Sequence, residues 1–212
     1  MANEQIREDN MRKAIDAGVV CFIEDGIANT QILSVAAKAG ISKRSFLRYF
    51  GSKDKFVIAV IKSINILYYN KGKECYKEIM DKYISGFDRL RALMNVTKYF
   101  FLAHPEIFLL LSEGQTYVTR SSERSLVLGQ YALVRDYWPS IILSLMRQGV
   151  EDGSIACFTK DYVQKSESNA LWYAYIGLMV QLAYAYSLGN VSMEDCEEII
   201  TRFMEQALRS LH

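Results

Sequence analysis

Lysine and arginine crowd into one short stretch of this chain. Residues 38–55 hold Lys38, Lys43, Arg44, Arg48, Lys53 and Lys55 against Asp54 alone, a local charge of +5. The whole 212-residue chain carries +1, which leaves −4 for everything outside the stretch. Cations at this density bind phosphates by releasing condensed counterions, and an arginine presented to a major groove grips guanine at O6 and N7. Residues for covalent chemistry are sparse by comparison. There are two histidines, His104 and the last residue His212, and no G-x-S-x-G, H-E-x-x-H, Walker or G-x-G-x-x-G motif. The four cysteines (Cys21, Cys75, Cys157, Cys196) lie far apart with no C-x-x-C pair, unlike a zinc knuckle or a disulfide scaffold. We therefore expect no enzyme, no metal and no cofactor.

The cations need short helices to aim them. A first helix over residues 5–25 places Ile15, Val19, Phe22 and Ile23 on one face, and Gly26 ends it. A second helix is expected from Gln31 to Lys38 with Thr30 as its N-cap. Ala39-Gly40-Ile41 breaks the pattern, and Ser42 can cap a third helix through about Tyr49 that carries Lys43, Arg44 and Arg48. Two short helices joined by a glycine turn make a helix-turn-helix, whose second helix fits the major groove of DNA. The residues alone leave open a second reading, in which the cations belong to a solvated helix of an ordinary bundle.

The rest of the chain also reads as helix. Only two prolines and twelve glycines interrupt it, too few for an all-β protein. Ser52 can cap a long fourth helix from Lys53 into the 70s, and Ser85-Gly86-Phe87-Asp88 fits a capping box ahead of Leu90, Leu93, Met94, Thr97 and Phe101. Pro105 suits a first helical turn, and Pro139 should kink or divide a helix over 122–151. Thr159 can cap a helix to Leu188, and Ser192-Met193-Glu194-Asp195 is a second capping box. The fold class is all-α, about nine helices and no strand. The uncharged run 170–188 is long enough for a membrane span, but four tyrosines and Gln181 argue for a bundle or dimer helix. The opening residues MANEQIREDNMRK lack an apolar core, so no signal peptide is expected and the cytoplasm is the expected compartment.

The order of residues across the basic stretch resembles the N-terminal domain of the TetR-type (tetracycline-repressor-like) transcriptional regulators. The matching features are Gly26, Thr30, Val35-Ala36, Ala39-Gly40-Ile41-Ser42-Lys43, Ser45-Phe46, Arg48-Tyr49-Phe50 and Ser52-Lys53, about 30 residues without a gap. Leu47 stands where the family most often has tyrosine, and Arg44 where it often has glycine. The resemblance implies a helix-turn-helix DNA-binding domain over 1–52 and a helical ligand-binding and dimerisation domain over 53–212. By the resemblance and the physics together, Phe46 and Phe50 face inward, while Lys43, Arg44 and Leu47 would meet base edges. Thr30, Ser45, Arg48, Tyr49 and Lys53 would meet phosphates.

The larger part is rich in aromatic residues and methionine, which either fill a bundle or line a cavity for a small apolar or aromatic effector. The resemblance favours the cavity. Its expected lining is Tyr68, Met94, Tyr99, Phe108 and Glu113, with Tyr117, Tyr131, Trp138, Trp172 and Tyr175; Gln130 and Arg135 could add polar anchors. A homodimer would pair Ala170, Ala174, Gly177 and Gln181 with Ile199, Ile200, Phe203 and Ala207 across a twofold axis. The expected function is a ligand-responsive regulator, most simply a repressor released by its effector from a palindromic operator in double-stranded DNA, with no membrane partner. Two other functions remain open: a DNA-bound scaffold that recruits a protein, and a carrier of lipophilic molecules without DNA binding.

Overall fold

The computed structural model describes residues 2–121, 124–158 and 164–211, with side chains from 4 to 121, 137 to 158 and 164 to 211. Among the described residues there are nine helices and no strand: α1 (Ala2–Asn29), α2 (Ile32–Lys38), α3 (Lys43–Phe50), α4 (Lys53–Lys82), α5 (Gly86–Ala103), α6 (Pro105–Arg120), α7 (Arg124–Glu151), α8 (Lys165–Ser187) and α9 (Met193–Arg209). The chain forms two compact units. One comprises Met1–Tyr68 with Leu109–Tyr131, the other Tyr69–Phe108 with Ala132–His212. Neither unit is cut at residue 52: the first takes in the early part of α4 and most of α6.

The first unit is built around Phe56. Its ring meets Phe46 at 4.6 Å, Phe50 at 4.8 Å and Phe22 at 5.8 Å between centroids, each edge to face. That geometry sets the positive edge of one ring against the negative face of the next. Room for it comes from Gly18, where a Cβ would lie 2.5 Å from the Phe56 ring. The buried stripe of α1 is therefore Ala14, Ala17, Gly18, Cys21 and Phe22. The larger Ile15 and Val19 are only half-buried and Ile23 is 40% exposed, which corrects the face expected from periodicity.

Gly26 breaks α1 at φ 76°, ψ 158°, a conformation closed to residues with a Cβ, and a last turn follows to Asn29. Thr30 is not an N-cap. Its hydroxyl donates back to the carbonyls of Gly26 (2.7 Å) and Cys21 (3.1 Å), and Gln31 takes the N-cap position of α2. Ser42 and Ser52 do cap, accepting from the amides of Ser45 (3.1 Å) and Lys55 (3.2 Å). Gly114, on α6, lets Ile61 of α4 approach within 2.3 Å of where its Cβ would be.

In the second unit α9 packs on α5 and α8. Tyr175 lies in that core, its hydroxyl donating to the carbonyl of Met94 (2.8 Å) and its ring stacked on Phe203 at 5.9 Å. The start of α5 is stitched to the end of α7. The Gly86 amide donates to Asp152 (2.7 Å), the Phe87 amide to Ser154 (3.1 Å), and Ser85 accepts from the Asp88 amide (3.1 Å). The Asp88 carboxylate takes the Ser85 hydroxyl (2.8 Å), so this box closes through side chains rather than through both amides. The box at Ser192 and Asp195 is complete in both directions.

Of the two outcomes expected at Pro139, division does not occur: the proline sits inside α7, which continues through it as one helix. Helix α8 starts at Lys165, where the Gln164 amide meets Glu167 at 2.9 Å, rather than just after Thr159, which lies outside the described residues. No described helix is long and apolar enough to cross a membrane.

Candidate nucleic-acid interface

The turn between α2 and α3 is closed by backbone alone. Gly40 (φ 68°) donates to the Ala37 carbonyl (3.1 Å) and Ile41 to that of Ala36 (3.0 Å), a Schellman arrangement that stops α2 in a fixed direction. Ser42 then starts α3. Phe46 and Phe50 turn inward and are 0% and 6% exposed, which leaves the opposite face with Lys43, Arg44, Leu47 and Arg48 in solvent. The eight-residue helix is held by two buried phenylalanines, which fixes the face that carries those four side chains.

The residues expected to meet phosphate fall into three groups. Ser45 borders the exposed face and Arg48 stands on it. The Arg48 guanidinium lies 5.2 Å over the Tyr49 ring, and the Tyr49 hydroxyl accepts from Asn10 (3.3 Å) and Arg48 (3.3 Å). These donors, Asn10 first, hold the Tyr49 phenol below its usual range. Lys53 also ties the fold: its ammonium donates one bond to the Ala28 carbonyl (2.8 Å) at the end of α1, and burial lowers its pKa. Thr30 is 3% exposed with its hydroxyl committed to two carbonyls, so its side chain is withdrawn from any phosphate. Lys38, counted in the basic patch, is paired with Glu24 at 2.8 Å. Three of the patch's six cations, Lys43, Arg44 and Arg48, stand exposed on α3.

Residues 14–60 match the sequence model described as bacterial regulatory proteins, tetR family. These residues are a TetR-family helix-turn-helix domain. The whole chain has the fold of TetR-family regulators of known structure. PfmR from Thermus thermophilus aligns at TM-score 0.65 and 19% identity, over 94% of this chain and 98% of that one. A TetR-like regulator from a Rhodococcus species aligns at 0.59 and 20%, over 94% and 96%. FadR from Bacillus subtilis, solved with stearoyl-CoA, aligns at 0.68 and 15%, over 95% and 99%. No curated protein matches the sequence.

The TetR domain carries a clasp that sequence reasoning missed. The Ile27 amide, set loose by the break at Gly26, donates to the Glu113 carboxylate of α6 at 2.7 Å. Asp54, in the first turn of α4, accepts from the Tyr117 hydroxyl (2.7 Å) and the Ser121 hydroxyl (2.8 Å). Asp54, Glu113, Tyr117 and Ser121, with Thr116 and Arg120, line an open cleft of about 360 Å³. Burial first, then the bond to Asp54, pushes the Tyr117 phenol up to about 12, so it stays a donor at every physiological pH. The Tyr117 and Ser121 donors hold Asp54 below the ordinary carboxylate value. A depressed carboxylate contributes stability above its unfolded pKa of about 3.9, and that contribution is lost as pH falls through the folded value. The thermal stability gap between the native protein and Asp54→Asn should be full at pH 6–7 and close only below about pH 4. A gap independent of pH would detach Asp54 from the clasp.

Of the ten residues expected to line an effector pocket, Glu113 and Tyr117 belong to this clasp. Met94 and Tyr175 are buried in the second unit's core at 2% and 1% exposure, and Phe108 packs on Phe101 (5.2 Å) and Phe100 (5.8 Å). Tyr99 is 61% exposed and faces solvent. Of these four, Tyr99 alone turns to solvent, while the other three pack among their neighbours in the second unit. Trp138 and Trp172 lie together, half-buried, at 6.0 Å, and Tyr68 is half-buried on α4. Tyr131, Gln130 and Arg135 lie outside the residues whose side chains are described.

Ala170, Ala174, Gly177 and Gln181 share one exposed face of α8, with open space above Gly177. Ile199 is 38% exposed, and Phe203 and Ala207 are half-buried. Ile200 is fully buried within its own chain and cannot belong to a dimer stripe.

Proposed function

We propose that this chain is a ligand-responsive transcriptional regulator, acting as a repressor that binds a palindromic operator as a homodimer and is released by a small apolar or aromatic effector. The observation that carries the reading is α3: Lys43, Arg44, Leu47 and Arg48 stand in solvent on a helix whose inner face is fixed by Phe46 and Phe50. Arg44 would read guanine and Leu47 a thymine methyl, while Ser45, Arg48 and Tyr49 hold phosphates. FadR, which shares the fold, was solved with an acyl-CoA, which supports an apolar effector here. Release would work through α6. A ligand that binds one position of α6 better than another shifts the Glu113 and Tyr117 clasp, and with it the TetR domain.

The test is selection of bound duplexes from a randomised DNA pool, followed by salt titration of the winning site. An inverted repeat with a log–log slope of about −5 fits a dimer neutralising about six phosphates. Arg44→Ala should relax the preference at one base pair per half-site, by ~1–3 kcal/mol. Equal weakening on every sequence would make Arg44 a phosphate contact instead. If no sequence is enriched and nothing binds at low salt, α3 is a solvated face and the reading fails.

The dimer has its own check. Gly177→Glu sets a charge on the exposed small-residue face of α8, where no described residue lies within 4 Å of the added Cβ. The native protein should elute from gel filtration as a dimer and the variant as a monomer. An unchanged dimer would reject this face as the interface.

A further inference from the structure

Helix α1 runs on beyond the core it helps to build. Its buried stripe ends at Ala14, and residues 4–9 are all exposed. Asn10 lies one helical turn before Ala14, on the same face, and is half-buried. An apolar residue there would extend the stripe; the amide instead brings a donor to α3, on which α1 packs. Its Nδ2 donates to the Tyr49 hydroxyl at 3.3 Å, across 39 residues of chain. The Arg48 guanidinium donates to the same oxygen at 3.3 Å and lies 5.2 Å over the same ring.

We infer that Asn10 is a positioning residue for DNA contact: by donating to the Tyr49 oxygen it commits the proton of that phenol to a phosphate of the DNA, beside the charge of Arg48. This rests on the DNA-binding reading above and adds to it a residue outside α2 and α3. A phenol oxygen can accept and its proton can be given. A phosphate oxygen only accepts, so the phenol is useful to it in one orientation alone. Two donors on the protein side occupy the oxygen and leave the proton to be given elsewhere. The same donors, Asn10 first and Arg48 next, with Ser45 last, hold the phenol below its usual range. A more acidic proton is the better donor, and a bond to an ionised acceptor is roughly twice as strong as a neutral one. Asn10 does this without reaching the DNA.

Fluorescence anisotropy of the full-length protein on a selected duplex, and on a scrambled duplex of the same length, reads the contact. Asn10→Ala should weaken both about three- to tenfold, the worth of one hydrogen bond, because a phosphate contact carries no sequence information. Tyr49→Phe keeps the ring beneath Arg48 and should weaken both at least as much. Adding Asn10→Ala to Tyr49→Phe should then change nothing further. Neither single variant should alter the log–log salt slope, since a neutral hydrogen bond releases no counterion. Arg48→Ala, by contrast, should flatten it by about 1 per half-site. A tie that is only structural would lower the melting temperature of Asn10→Ala and leave the affinity of the folded protein unchanged. Native or tighter binding by Asn10→Ala therefore overturns the inference. So does a loss that persists in the Tyr49→Phe background, or a flattened slope in Asn10→Ala, which would place the effect on Arg48. If the native protein binds neither duplex, the regulator reading fails and takes this one with it. If the native protein binds and Asn10→Ala matches it, the positioning role alone fails.

Discussion

Phe56→Ala is expected to cost the TetR domain about 4 kcal/mol and to abolish DNA binding. The ring is 1% exposed and touches Phe22, Phe46 and Phe50, so its removal opens a cavity bordered by α1, α3 and α4. Phenylalanine-to-alanine changes in cores cost about 3–5 kcal/mol, because the surroundings close only partly over the space. The site has little scope to collapse, since Gly18 has no side chain to move into the gap. Against a total stability of roughly 5–15 kcal/mol, the loss is enough to populate an unfolded or molten domain. Denaturant unfolding followed at the aromatic band, beside operator binding of the same sample, measures it. Phe56→Leu keeps most of the volume and should retain binding. A loss below about 1 kcal/mol for the alanine variant would show that the four rings do not act as one core.

Gly86→Ala, a single added methyl, should destabilise the second unit by about 3 kcal/mol. A Cβ at position 86 would lie 2.2 Å from the Gly149 amide nitrogen, 2.6 Å from its Cα and 2.6 Å from the Leu145 carbonyl. These are backbone atoms of α7, which cannot rotate aside as a side chain would, so the helices must part. Parting them also strains the 2.7 Å bond from the Gly86 amide to Asp152 and the 3.1 Å bond from Phe87 to Ser154. The better helix propensity of alanine, worth at most about 1 kcal/mol, opposes this weakly. A melting temperature lowered by several degrees is the expected reading; an unchanged or raised one would mean the α5–α7 contact is looser than these distances.

What the sequence disclosed was whatever depends on near neighbours. Ser42, Ser52 and Ser192 act as caps because a hydroxyl three residues before an amide can reach it in few ways. The turn at Gly40 was legible because only glycine closes it cheaply. Thr30 misled because a hydroxyl type does not say which backbone group it finds: the break at Gly26 brings two carbonyls closer than the amides of α2. The inner face of α1 misled for a related reason. Periodicity weighs large apolar residues, yet Phe56 needs Gly18 beside it, on a buried stripe that holds Ala14 and Ala17 and leaves Ile23 outside. Glu113 could not be seen at all as the partner of Ile27, since the two lie 86 residues apart and no local pattern couples them. Aromatic content named the half-buried pair Trp138 and Trp172 and the core residue Tyr175 with equal weight, because composition is blind to what a ring touches.

The loose amide at Ile27 bears on how such proteins can be recombined. An engineer who grafts the first 60 residues onto a different sensor would carry the reading helix but leave behind the carboxylate at 113 and the hydroxyls at 117 and 121. The graft would arrive with a backbone donor uncovered and Asp54 without its two donors. Portability therefore ends with α6 and not with α4, and a swap that respects this boundary must transplant two separated pieces of chain together.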